Sequence, residues 1–191
     1  PLILVSFSGE AHVDSIQLCF IMAAFFFKEK KLWILSAAFA GFAIGIKVTA
    51  VLILPFLIRR EYWQYAIFMV LAIVVPMFYF DASLTQMFSS VLRFGSEMHF
   101  NNSLHYAFVE LLGYGVANAF SLILFACFIA GYWLTQDNEY RGLLFTCIIF
   151  YLLAPTVHPW YLTILVCLAV VVKSPIAIVW SLSSAFYFAV Y

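Results

Sequence analysis

Three residues near the start of the chain could do chemistry together. Glu10, His12 and Asp14 stand two apart in Gly9-Glu10-Ala11-His12-Val13-Asp14. In an extended segment all three share one face, whereas in a helix Glu10 and Asp14 share a face and His12 points away. Two carboxylates and an imidazole so placed can hold a divalent cation, or one carboxylate can serve as a general base. Asp14 can also cap the helix that follows, with Gln17 completing a capping box, but that accounts for neither Glu10 nor His12. A second polar feature is Lys47, set in the apolar run Ala43-Ile44-Gly45-Ile46-Lys47-Val48-Thr49-Ala50. An ammonium at membrane depth costs about 2.5–3.5 kcal/mol on insertion scales, and such residues commonly mark a ligand or a pathway. There it could meet a lipid phosphate as a point charge, or simply snorkel to the interface. The third is the run Pro155-Thr156-Val157-His158-Pro159-Trp160-Tyr161. Its prolines force a break between two apolar segments, and Trp160 and Tyr161 favour a membrane–water boundary. His158 there, like Arg93, could add positive charge or a donor at the same phosphate.

The elements that must position these groups follow from composition. Hydrophobic residues make up 66% of the chain and charged residues 9%, with mean hydropathy +1.07. A soluble domain is about half apolar and a quarter charged. These values describe a polytopic membrane protein, and apolar runs without strict alternation select helices over a barrel. A net charge of zero argues against nucleic acid as the partner. Cys19, Cys127, Cys147 and Cys167 lie within apolar runs without paired or metal-type spacing, and read as small buried hydrophobes. A start at Pro1 and an end at Tyr191 within an apolar run are what a piece of a longer protein would show.

The expected fold is an all-α, polytopic membrane bundle in a single partial transmembrane domain over residues 1–191. Its segments fall at 13–27, 32–58, 62–80, 116–135, 142–154, 162–172 and 176–191. Short loops rich in Lys and Arg face the cytoplasm, which places Lys28, Lys30, Lys31, Arg59, Arg60, Arg141 and Lys173 inside, seven of the nine basic residues. Both ends of 32–58 are then inside, so that stretch must be a re-entrant or broken hairpin with its tip near Gly45–Thr49. Each arm would be about 16–22 Å long at 1.5 Å per residue. The alternative is one long tilted span. Apolar periodicity at i, i+3, i+4, i+7 marks two helices too short to span, 83–94 and 103–113, lying in the interface. The same orientation makes Glu10, His12, Asp14, Arg93, Glu97, His99, Asn101, Asn102, His105 and His158 extracytoplasmic, with Lys47 aimed at them. Asn101-Asn102-Ser103 matches a glycosylation sequon, although Asn102 or Ser103 capping the next helix is the simpler account. Gly41 and Gly45 have the small-xxx-small spacing of close helix contacts.

Four motifs in order carry a resemblance: Gly9–Asp14 before a span; Gly45-Ile46-Lys47 followed by Leu54-Pro55 and Arg59-Arg60; Phe100-Asn101-Asn102-Ser103-Leu104; and Pro155–Tyr161. The chain resembles the GT-C class of integral-membrane glycosyltransferases, and more narrowly bacterial mannosyltransferases that use polyprenyl-phosphate-linked sugars. The resemblance implies inverting transfer of a hexose, with mannose the expected sugar, on the outer face of a bacterial plasma membrane. The donor would be a polyprenyl-phosphate sugar and the acceptor a glycan or glycolipid. It implies Asp14 or Glu10 as the catalytic carboxylate, and Lys47, Arg93, His158, His12, Asn101, Trp160 and Tyr161 around the substrates. A divalent cation is compatible with the acidic cluster but not required. Such enzymes usually carry the principal catalytic acid in an earlier outer loop, before the point where this chain begins. On that comparison Asp14 or Glu10 is a second acidic site for metal or acceptor, and the piece alone would be inactive. A secondary transporter, which also uses broken helices and an intramembrane Lys, and a non-catalytic membrane subunit are the alternatives.

Overall fold

In lipid, an apolar run without strict alternation can satisfy its backbone polar groups by coiling into a helix, and the elements of this chain are helical. The computed structural model describes residues 13–57, 60–79, 85, 89, 103–135, 138–175 and 179. The expected all-α bundle is what forms. It falls into two compact units, one within Phe7–Leu92 and the other taking its described residues from Arg93–Tyr191.

In the first unit, α1 spans Asp14–Glu29 and α2 spans Trp33–Ile46. The turn between them is closed by Lys31 at φ 58°, with Lys31 N–H donating to Lys28 O (2.8 Å) and Leu32 N–H to Phe27 O (2.9 Å). This is a Schellman end with Lys in the place that glycine usually takes. The rings of Phe20, Phe27, Phe39 and Phe42 interleave across the α1–α2 seam, Phe27 and Phe39 stacked at 5.2 Å. Across the same seam, Ser36 Oγ donates to Ala24 O at 2.8 Å.

Helix α2 stops at Lys47, whose backbone is extended (φ −155°, ψ 123°). Ile46, Val48 and Thr49 are β-branched and weaken helix propagation there. A 3-10 turn, Val48–Ile53, and a short α3, Leu54–Leu57, follow. Two hydrogen bonds give the direction of this arm: Gln17 reaches Lys47 O at 2.9 Å, and Lys28 Nζ reaches Phe56 O at 2.6 Å. The arm therefore travels from the Asp14 end of α1 to its Lys28 end, a rise of about 16 Å along the eleven residues between Gln17 and Lys28. The hairpin is a true reversal rather than one long span. A further 3-10 turn, Arg60–Tyr65, leads into α4, Ala66–Tyr79. Trp33 stacks on Tyr62 (3.7 Å between ring centres), and Gly41 meets Met69 and Ala72, so α4 runs parallel to α2.

The second unit holds α5 (Leu104–Leu112), α6 (Tyr114–Thr135), α7 (Glu139–Leu153), a 3-10 turn at Pro159–Leu162, and α8 (Thr163–Val172). Asn138 caps α7 by accepting from Arg141 N–H at 2.9 Å. Leu143, Leu144, Cys147, Leu165 and Leu168 are its buried core. Gly113, at φ 76°, lets α5 end and α6 begin one residue later.

Among the described residues, two stretches are long and apolar enough to cross a membrane, Tyr62–Tyr79 and Tyr114–Tyr132. Their large side chains are left uncovered, including Val75, Phe78, Val116, Leu122 and Ile123. An uncovered apolar surface of that extent is of the kind that lipid or a partner protein covers. Cys19 and Cys127 also lie on exposed faces, and of the four cysteines only Cys147 is buried as expected. The predicted interfacial helix 83–94 lies outside the described residues except for Thr85 and Ser89, as does the segment 176–191 except for Val179.

Candidate functional site

The buried face of α1 is Asp14, Gln17, Ile21, Ala24, Phe25 and Lys28, the spacing of one helical stripe. Its centre is apolar and its ends are polar, and both ends grip the same arm. At the Lys28 end, a side chain expected to be a loop charge is instead buried, its ammonium on the Phe56 carbonyl. Phe56 belongs to the last turn of α3, where carbonyls lack helical partners and a cation is favourable.

At the other end, Lys47 Nζ meets Asp14 Oδ1 at 2.6 Å. The Asp14 side chain is 10% exposed and that of Lys47 23%, so the pair is largely desolvated. Beside it, Gln17 Nε2 donates to Lys47 O at 2.9 Å and to Thr49 Oγ1 at 3.3 Å. Asp14 is not a helix cap. Val13 occupies that position, no side chain among the described residues caps the helix, and Gln17 turns to the hairpin tip rather than back to its own N-terminus. An ammonium has three donors, enough to hold a carboxylate and a phosphate oxygen together, and a charge held in place by a partner needs little reorganisation when negative charge develops nearby.

In the second unit, His158 packs edge-on against Tyr161, ring centres 5.3 Å apart, while Tyr161 N–H donates to His158 O at 3.0 Å. The Tyr161 carbonyl accepts from Tyr151 Oη–H at 2.8 Å. Thr156 and Val157 are buried, so this turn is anchored into its own unit. His105, which the sequence reading placed on the extracytoplasmic side, is fully buried with Nδ1 3.1 Å from Ser121 Oγ. On α5 the predicted apolar stripe is largely exposed (Leu104, Leu111 and Leu112), while His105 and Val109 turn inward. Ser103 does not cap α5 with its side chain; its Oγ contacts Leu152 O at 3.4 Å.

The structure thus joins Asp14 to Lys47 and His158 to Tyr161. Glu10, His12, Arg93 and Asn101 lie outside the described residues, as does the side chain of Trp160. Among the described residues no three His, Cys, Asp or Glu side chains gather into a cation site. Sequence reasoning passed over Gln17 and Thr49 as members of this cluster. A signal existed: Gln17 is three residues from Asp14 on one helix face, and it is a polar side chain in an apolar span.

Neither a curated protein nor a solved structure matches the chain. The model of glycosyltransferase family 87 matches residues 11–159, from just before Asp14 through the hairpin to the His158 turn. The chain belongs to glycosyltransferase family 87, a family of the GT-C type.

Proposed function

We propose that this glycosyltransferase moves a hexose, mannose by preference, from a polyprenyl-phosphate donor to a glycan or glycolipid hydroxyl at the outer face of a bacterial plasma membrane. The observation that carries this reading is the desolvated Asp14–Lys47 pair at the tip of a broken hairpin. Sugar transfer from a phosphate ester needs positive charge where the leaving phosphate gains charge, and a carboxylate where the acceptor loses a proton. In the step itself the acceptor oxygen attacks the anomeric carbon. The bond from that carbon to the phosphate oxygen breaks, its electron pair leaves with polyprenyl phosphate, and a carboxylate takes the hydroxyl proton. Configuration inverts. Lys47 meets the phosphate, with Arg93 and His158 as further donors. Asp14 or Glu10 is the carboxylate, acting either as base or as a holder of acceptor or cation. His12, Asn101, Trp160 and Tyr161 complete the substrate surface.

The test is donor choice. The whole protein in proteoliposomes should transfer labelled mannose from polyprenyl-phosphate mannose and not from the nucleotide sugar. Efficient use of the nucleotide sugar instead would overturn the donor assignment.

Sidedness has its own test. Cysteines at positions 12 and 158 (His12→Cys, His158→Cys), in a background with the native cysteines replaced, should both be labelled by an impermeant thiol reagent from outside intact cells. Labelling from opposite sides would separate the two ends of the proposed site.

A further inference from the structure

We infer that Gln17 is a positioning residue for Lys47, a role that rests on the reading of Lys47 as the phosphate partner. Residues around a helix break have backbone groups without helical partners, and in a membrane those groups must be satisfied by protein. The Lys47 carbonyl sits at this break and receives two donors, Ala50 N–H at 3.0 Å and Gln17 Nε2 at 2.9 Å. The second comes from a different helix, thirty residues away in sequence. The same amide nitrogen reaches Thr49 Oγ1 at 3.3 Å, so one side chain holds the Lys47 backbone before Val48 and the Thr49 side chain after it. Gln17 is itself only 7% exposed and lies one turn along α1 from Asp14. Asp14 therefore fixes where the ammonium ends, and Gln17 fixes where its main chain begins. A flexible four-carbon stem between two fixed points presents its charge in one place; with the backbone end released it samples many. Gln17 touches no reacting atom in this arrangement and acts through Lys47.

Polyprenyl phosphate, the released product, is the probe, because its binding can be measured even in inactive variants. Gln17→Met keeps the side-chain length and removes the amide. It is expected to weaken polyprenyl phosphate binding by about tenfold, the scale of one or two lost hydrogen bonds and a displaced charge. Thr49→Val removes the weaker contact and should weaken binding less, while Thr49→Ser restores it. Gln17→Met combined with Lys47→Ala should bind no more weakly than Lys47→Ala alone, because residues acting through one another do not add. Wild-type binding by Gln17→Met, or losses that add in the double variant, would overturn the assignment. Should Gln17→Met fail to fold, the Thr49→Val and Thr49→Ser pair decides, equal binding by the two overturning it. Wild-type binding by Lys47→Ala would instead remove the reading of Lys47 itself, so the two failures are distinct.

Discussion

Lys47→Ala in the whole protein is expected to lower transfer from a polyprenyl-phosphate sugar by at least about a hundredfold, the scale of losing one preorganised charge at a developing oxyanion. The difficulty is that the same change strands a carboxylate. Asp14 is buried, and removing one partner of a buried pair costs about 3–5 kcal/mol because the other charge is left uncompensated. Lost activity alone would then reflect misfolding as readily as chemistry. The double variant Asp14→Asn with Lys47→Met separates the two, since it removes both charges and keeps similar volumes, which is often close to neutral for stability. It should recover the thermal stability that Lys47→Ala loses and still fail to transfer sugar. Recovery of both stability and transfer would make the pair a structural clasp and nothing more. Asp14→Asn alone informs the other half. A catalytic base is lost with the carboxylate, whereas a carboxylate that only steadies Lys47 leaves measurable transfer with weakened donor use.

How much of this was legible beforehand depended on distance along the chain. The break near Lys47 could be read locally, from basic loops at both ends of 32–58 that put the two ends on one side of the membrane. The pairing of Lys47 with Asp14 could not, because thirty-three residues separate them and local capping chemistry offers Asp14 and Gln17 a complete alternative. Tertiary contact won over that local option, and Val13 was left as the cap. Lys28 shows the same contest in a different form. As a charge beside a turn it reads as solvated, yet its aliphatic stem can lie along an apolar seam while the ammonium finds a carbonyl, here that of Phe56. The inward turn of His105 and Val109 on α5 reverses a pattern that would hold in water. Where lipid surrounds a helix, its apolar stripe gains little by packing inward, and a polar side chain that finds a partner such as Ser121 is the one better buried.

Two glycines that are equivalent on paper are expected to respond in opposite directions. Gly41 and Gly45 both lie on α2 and four apart, the spacing of a close helix contact. A Cβ on Gly41 would collide with the Met69 carbonyl oxygen and stand 2.8 Å from Ala72 Cβ. The first of these is backbone of α4, so relief requires the whole helix to move. One on Gly45 meets nothing within 4 Å. Gly41→Ala should therefore destabilise the protein by about 1–3 kcal/mol, the cost of overpacking a tight seam, and Gly41→Leu should abolish folded yield. Gly45→Ala should be neutral or stabilising by up to about 1 kcal/mol, because Ala is the better helix former. Thermal unfolding of the detergent-purified variants reads both. Ala72→Gly should rescue Gly41→Ala only in part, since it clears one contact and leaves the carbonyl. Consequences reach the hairpin tip: Gly41 is six residues before Lys47 on the helix that delivers it, and a displaced α2–α4 seam shifts the platform on which the Asp14–Lys47 pair is built. Gly41→Ala should thus lose transfer out of proportion to its loss of folded protein, and equal stability of Gly41→Ala and Gly45→Ala would refute the close approach of α4 to α2 at Gly41.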